Sequence, residues 1–457
     1  MCALCKNVAH FAVNKKYTMK NIQGYSKLSK EQKINWLVEN YLNNDVTAKE
    51  ELISYWHRDL NTQKILDEFS ENTITNYFFP FSVAPNFLIN GEYFCLPMAI
   101  EESSVVAAMS NSAKFWSTRG GFKTEILGTT KVGQVHFIYK GDEAQLKADF
   151  KTIKPQLLEG SKYISYNMEQ RGGGVLDIEL IDMTQHEAGY FQLKASFETC
   201  DSMGANFINS CLEEYASTLK EIVGNNPKYG TVKVILAIVS NYTPNCIARA
   251  TVECKVEELG NFGEITAEEF AEKMRIAVKI AEVDPHRATT HNKGIYNGVD
   301  AMIIATGNDF RAVEACGHTY AARNGSYGSL THCTVENGIF KYWIDLPLAV
   351  GTVGGLTQLH PLVKRSMQIL GNPNAAQLMA FCAVAGLAQN FAALKAMTTV
   401  GIQQGHMKMH LLNILNFYNA NEEEKNYALE YFKDKIVSFT TTRVMLEQLR
   451  GAKNEVK

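Results

Sequence analysis

Lys293, Glu102, Asp309 and His406 are the side chains of this sequence best suited to chemistry, and they come from four distant parts of the chain. A lysine can stabilise a developing oxyanion, or lose its proton when buried. Two carboxylates beside it would share its charge, and one of them can be held protonated as a general acid. His406 stands in Gly401-Ile402-Gln403-Gln404-Gly405-His406-Met407, between a flexible glycine and a new helix, where it could protonate a leaving group. These residue types fit reduction of a carbonyl and equally fit hydrolysis of a thioester. Periodicity does not separate the two.

The elements that must position them can be read around the stretch from Asp284 to Arg311. It gathers Arg287, His291, Asn292, Lys293, Asn297, Asp300, Asn308, Asp309 and Arg311 around the short apolar run Ala301 to Ala305. That run reads as a buried strand ending in Thr306-Gly307-Asn308-Asp309, which sets Asp309 at a turn just past a strand end. An ordinary polar loop, strand and surface turn would look the same, because Asn, Asp and Gly are common turn residues. Upstream, Phe87 to Pro97 reads as a hairpin turning at Asn90-Gly91. Glu101-Glu102-Ser103-Ser104 follows it and precedes the helix-like Val105 to Met109. Plain N-capping would account for carboxylates and serines at that place.

Between about Ser110 and Gly224 the texture changes to alternation. Leu176, Ile178 and Leu180, then Phe191, Leu193, Ala195 and Phe197, mark two strands with one covered face. Gly172-Gly173-Gly174 lacks GxGxxG spacing and a strand-to-helix setting, so it reads as a turn. Asp201-Ser202-Met203-Gly204-Ala205-Asn206 is the better phosphate seat. It follows a strand and opens a helix with the stripe Phe207, Cys211, Tyr215 and Leu219. Gly204 would let a phosphate approach backbone N–H groups at the helix N-terminus; Asp201 as a simple helix cap is the competing account. Strands over 230–242, 246–256 and 340–346, a glycine-rich loop at Gly351 to Gly355 and a helix from Ala375 complete the pass.

Composition narrows the class. A chain of 457 residues predicts two or three structural units, and 46% hydrophobic with 20% charged residues is a soluble globular balance. A net charge of -3 gives no reason to expect nucleic acid or an acidic membrane as partner. The ten cysteines lack framework spacing, which points to free thiols in a cytoplasmic setting. Cys2 and Cys5 form a lone CxxC without the further ligands of a closed zinc site, so no metal is expected. No run reaches the ~20 apolar residues of a spanning helix; Ala375 to Val400 is interrupted by Gln377, Gln389, Asn390 and Lys395.

Six motifs in order carry a specific resemblance: ENTITNYFFPFSVAPNFLINGEYFCLPMAIEESSVVAA, DSMGANFIN, DPHRATTHNKG, ATGNDFRAVEA, GTVGGLTQLHP and GIQQGHMKMH. Across roughly residues 19 to 450 the chain resembles the class II (bacterial-type) 3-hydroxy-3-methylglutaryl-coenzyme A (HMG-CoA) reductases. The resemblance implies two hydride transfers from NAD(P)H that convert HMG-CoA to mevalonate and free coenzyme A. It implies that Lys293 stabilises the oxyanion, that Glu102 donates a proton, and that Asp309 is hydrogen-bonded between them and tunes their protonation. It gives His406 the task of protonating the departing thiolate. Ser104, Arg287 and Asn297 match substrate-holding positions, and Arg287 suits a bidentate carboxylate clamp. Asp201, Met203, Gly204, Ala205 and Asn206 match the dinucleotide site.

The implied fold is α+β: a large mixed substrate-binding domain with an inserted small non-Rossmann, ferredoxin-like dinucleotide-binding domain and a C-terminal helical flap. The expected segments are an extension over 1–18, large domain over 19–109 and 225–399, small domain over 110–224, and flap over 400–457. A homodimer with active sites at the subunit interface is implied as well. In NADH-dependent relatives an acidic residue several positions before the glycine triplet repels the 2′-phosphate of NADPH. Here Ser165 falls at that position, with Lys162 and Arg171 nearby, so a lean toward NADPH is expected. The reverse, mevalonate-oxidising direction uses the same residues by microscopic reversibility. A CoA-thioester hydrolase or transferase, and a non-catalytic CoA-binding protein, are the competing classes.

Overall fold

The computed structural model describes residues 21–399, 411–433, 435 and 437–455. His406, Cys2, Cys5 and the expected 1–18 extension lie outside the described residues. The chain divides into two units, the first ending at Phe78 and the second beginning at Phe79.

The first unit is helical: α1 (Lys30–Tyr41), α2 (Val46–Ser54) and α3 (Leu60–Asp67). Each start is fixed by a polar cap: Ser29 with Gln32 in a capping box, then Asp45 and Asp59 accepting first-turn N–H groups. Ile34 and Val38 are the buried apolar residues of α1.

The second unit opens with β1 (Phe81–Ile89) and β2 (Glu92–Ala99), an antiparallel hairpin. Its turn residues Asn90 and Gly91 have φ of 51° and 90°, the left-handed values that a two-residue hairpin turn demands. Then come α4 (Val105–Ser117), β3 (Lys123–Ile126), β4 (Lys131–Lys140), α5 (Glu143–Gly160), α6 (Lys162–Glu169), β5 (Gly174–Asp182), β6 (Tyr190–Glu198), α7 (Ala205–Gly224) and β7 (Thr231–Val239). The chain continues as β8 (Ile247–Lys255), α8 (Ala267–Val283), α9 (Pro285–Ala305), α10 (Phe310–Ala321), β9 (Thr331–Glu336), β10 (Ile339–Pro347), α11 (Leu356–Leu359), α12 (Pro361–Ile369) and α13 (Ala375–Thr398).

Two four-stranded antiparallel sheets organise these elements. One has the order β3-β8-β10-β9 and shares a core with α4, α8, α9 and α13. The other has the order β5-β6-β4-β7, which with α5 and α7 is a β-α-β-β-α-β unit of ferredoxin-like topology. Its separate core includes Phe137, Phe191, Phe197, Leu212 and Tyr215. The mixed α+β class is therefore as anticipated, while the edges expected at 110 and 224 fall elsewhere. Val105, Met109 and Trp116 of α4 join the first core, and β7 pairs with β4, so the second sheet spans Lys131 to Val239. The cause is that α4 and β3 carry no change of composition to mark where one core ends and the other begins.

The expected strand at Ala301 to Ala305 is instead the last turn of α9. Asp284 caps this helix by accepting the His286 N–H at 3.0 Å, and Pro285 occupies its first position. The apolar run is buried apart from the half-buried Ile304, with Ala301, Met302 and Ile303 fully so, and no helical stripe shows in it. Against it lies α13, also buried nearly all round, and the two approach closely where a Cβ on Gly298 would stand 2.6 Å from the Ala385 carbonyl oxygen. By length and composition α13 could cross a membrane, yet most of it is buried inside this unit. Its interior Asn390 is bound to the Tyr342 hydroxyl and donates to the His291 carbonyl at 3.1 Å. Past residue 410, Leu411, Leu415, Ala428, Phe432, Met445 and Leu446 form a third small core.

Candidate active site

Lys293 and Glu102 meet although nothing in the chain between them is local. The Lys293 ammonium donates to Glu102 Oε2 at 2.8 Å, and both side chains remain open to solvent. Lys293 is held by α9; Glu102 sits in the turn that β2 delivers to the start of α4. That turn is strained: Ser104 has φ of 77°, a left-handed backbone uncommon for a serine. Ser104 occupies the N-cap position of α4 but its hydroxyl makes no capping hydrogen bond. The plain-capping account of this segment therefore fails, and the hydroxyl is left for another partner. Asn297 follows Lys293 by one turn on the same face of α9.

Arg287 lies in the first turns of α9. Its guanidinium is half-buried, and burial holds its pKa below the usual arginine value. The described contact of that group is a weak one, Nη2 to Met397 Sδ at 3.8 Å, and among the described residues no carboxylate pairs with it. A desolvated guanidinium without an anion suits an incoming carboxylate. Beneath it His291 is buried, with Nε2 2.6 Å from Thr331 Oγ1. Burial, with the nearby Arg287 charge, depresses the His291 pKa to about 3, so it stays neutral.

Asp309 is not brought to Lys293 within the chain. It caps α10, accepting from Arg311 N at 3.0 Å and Ala312 N at 3.2 Å, and it pairs with the Arg311 side chain at 3.2 Å. The helical rise from Lys293 to Ala305 alone separates the two by about 18 Å. Asp309 stands instead beside a pair of glycine-bearing loops. Asn308 Oδ1 accepts the Gly351 N–H at 2.8 Å, and Thr352 N donates to the Asp201 carbonyl at 2.9 Å. A Cβ on Gly351 would lie 2.6 Å from Met203 N.

Asp201 does not cap α7. Its Oδ1 accepts the Ala375 N–H at 2.8 Å, which ties this turn to the start of α13. The N-cap of α7 is Gly204, at φ of 91° and without a side chain to cap the first-turn N–H groups of Ala205 and Asn206. A Cβ there would meet Thr199 at 2.5 Å. A twenty-residue helix with an open N-terminus behind two glycines fits the diphosphate of a dinucleotide. Ser165 is a correction of the sequence-based expectation. It is the buried residue of α6, its hydroxyl bonded to the Glu169 carboxylate and the Lys162 carbonyl, so it does not present itself to a ligand. Arg171, exposed in the turn after α6, is tied through its backbone to the Cys200–Asp201 turn: its carbonyl oxygen accepts from Cys200 Sγ at 3.2 Å.

Comparison with known proteins meets this geometry. The family model described as hydroxymethylglutaryl-coenzyme A reductase matches residues 30–411. The chain belongs to that family. A 3-hydroxy-3-methylglutaryl-coenzyme A reductase of Archaeoglobus fulgidus is 36% identical over 433 residues, covering 94% of this chain and 95% of its own. A solved class II enzyme of Streptococcus pneumoniae, bound to NADPH in open conformations, superposes with a TM-score of 0.68 at 33% identity and covers 83% of this chain and 100% of its own. A second structure of the Streptococcus pneumoniae reductase gives 0.69 and covers 94% of this chain and 100% of its own. The class is the bacterial-type class II, and the chain is an NAD(P)H-dependent oxidoreductase acting on HMG-CoA. Thioester hydrolysis is not favoured.

Two features of the HMG-CoA reductase site escaped the sequence. The Asn308–Gly351 bond joins positions whose types suggest only turns. The separation of Asp309 from Lys293 follows from the length of α9, which the Asp284-Pro285 cap signal could have revealed.

Proposed function

We propose that the chain converts HMG-CoA to mevalonate and free coenzyme A through a site built by two copies of itself, with NADPH as the preferred reductant. Hydride comes from the nicotinamide cofactor when it is bound. The chain supplies everything around it. Arg287 holds the carboxylate of the hydroxymethylglutaryl group, with Ser104 and Asn297 placed for its other polar atoms. The Lys293 ammonium, already oriented by Glu102, meets the oxygen on which negative charge develops. Glu102 gives up a proton as that oxygen becomes a hydroxyl, and His406 protonates the departing thiolate.

The observation that carries this reading is the Lys293–Glu102 pair at 2.8 Å, set by two of the family's motifs. The dimer rests on a different one. Asp309 caps α10 about 18 Å along the helix from Lys293, so an Asp309 acting on that lysine comes from a second copy. NADPH preference rests on the exposed Arg171 beside the Cys200–Asp201 turn. A cytoplasmic location is supported by the free thiols of all described cysteines.

The test is one cuvette: protein, HMG-CoA and NADPH or NADH, with cofactor absorbance and free thiol followed together. Two cofactor molecules oxidised per thiol released is the expected stoichiometry, with larger kcat/KM for NADPH. Thiol release without cofactor oxidation would sink the reductase assignment.

A further inference from the structure

Lys131 opens β4, is 3% exposed, and is buried against the turn that begins at Thr199. Its ammonium donates to Thr199 Oγ1 at 2.6 Å and to the Ser202 carbonyl oxygen at 3.3 Å. Among the described residues no carboxylate oxygen lies within the 4 Å of an ion pair with it. Both partners are neutral, and they would satisfy each other without it, since Thr199 Oγ1 also donates to the Ser202 carbonyl at 2.6 Å. The Glu198 and Asp201 carboxylates lie in the same neighbourhood but make no ion pair with it. A buried cation whose direct partners are neutral dipoles is costly, and this one repairs no unmet hydrogen bond.

Its place gives the cost a purpose. Thr199 is the residue against which Gly204 packs, and Gly204 is the N-cap of α7. The ammonium is therefore bonded to the turn that leads directly into the uncapped N–H groups of α7. Both contribute positive potential at one spot.

We propose that Lys131 is a positioning residue for the dinucleotide diphosphate: a buried counter-charge that shapes the Thr199–Ser202 turn and is compensated when the diphosphate arrives. This rests on the reading of Asp201 to Asn206 as the cofactor turn. Lys131 does not touch the ligand; it acts through the turn and through its field, which a low-dielectric interior screens little.

Charge and shape are separated by two variants. Lys131→Gln keeps a donor without the charge, and Lys131→Met removes both. Titration by NADPH fluorescence should give a Kd about tenfold weaker for Lys131→Gln than for wild type. Nicotinamide mononucleotide, which lacks the diphosphate, should inhibit both proteins equally. Thermal melting adds a readout free of turnover. Without ligand, Lys131→Met should melt at or above the wild-type temperature, because it removes a buried charge that has no ion-pair partner, and saturating NADPH should then raise its Tm by less. A purely structural lysine predicts the reverse, a lower Tm without ligand. Equal NADPH affinity in wild type and Lys131→Gln, or a ligand-free Lys131→Met protein that melts well below wild type, overturns the proposal. Failure of the wild-type protein to bind NADPH at all would instead overturn the cofactor reading beneath it.

Discussion

Asn308 Oδ1 accepts the Gly351 N–H at 2.8 Å, and that bond clamps the loop after β10 between the end of the α9 turn and the Asp201 turn. The clamp works only because Gly351 has no side chain: a Cβ there would stand 2.6 Å from Met203 N and 3.2 Å from the Asp201 carbonyl. Gly351→Ala must push the two loops apart by several tenths of an ångström. The expected result is a KM for NADPH raised about tenfold with KM for HMG-CoA little changed, read from initial rates with each substrate varied. A matched rise in both constants would show that the contact serves general stability.

Lys293 lies within α9 and Asp309 caps α10, about 18 Å of helical rise further on, so their loss should be complementable between copies. Lys293→Ala and Asp309→Ala homodimers should each fall on the order of 10³-fold in kcat. When the two are co-expressed, half of the dimers are mixed and each has one intact site, which restores about a quarter of the wild-type rate. Absence of any recovery in an isolated mixed dimer would place both residues in a single-chain site. Asp309→Ala also removes the α10 cap at a cost of about 1 kcal/mol. Asp309→Asn, which still caps, therefore isolates the charge: it should melt near the wild-type temperature and remain inactive.

His406 lies beyond the described residues, and its assignment is tested by chemistry alone. Only the thioester step expels a thiolate. His406→Gln should therefore lower reduction of HMG-CoA by about 10²-fold while reduction of free mevaldehyde falls far less. Equal losses on the two substrates would make the residue part of closure or folding. Lys293→Ala, by contrast, should abolish both reactions.

Much of this site was legible before any coordinates. The Asn90-Gly91 hairpin, the strand-to-helix step at Asp201 to Asn206 and the family motifs are local signals, and the structure realises the first two as read. What was illegible depends on burial and on facing. Ala301 to Ala305 is covered almost all round, so its apolar run carries no period and reads as a strand. Ser165 was placed by counting back from Gly172, but counting does not reveal which face of α6 turns inward. Nothing local in the sequence marks Lys131; only its contact with the Thr199–Ser202 turn makes it a buried cation.

Asp300 gives a prediction with a definite sign. It follows Asn297 along the site face of α9, its Oδ1 is buried without a hydrogen-bond partner, and the Glu314 carboxyl is within hydrogen-bonding reach. Burial, then the charge and hydrogen bond of Glu314, then Glu101, push its pKa up to about 8 from the ordinary 3.8. Asp300 therefore keeps its proton in the fold at neutral pH. In the unfolded chain Asp300 ionises near its ordinary value, so between about pH 4 and pH 8 the folded state binds a proton that the unfolded state has lost. Its contribution to stability is complete below about pH 4 and drains away as pH rises through about 8. Asp300→Asn keeps the shape and can still bond to Glu314 but cannot ionise. Wild type should therefore lose a few more degrees of Tm than Asp300→Asn between pH 5 and pH 8.5. Parallel Tm–pH curves for the two proteins would show that Asp300 is ionised in the fold.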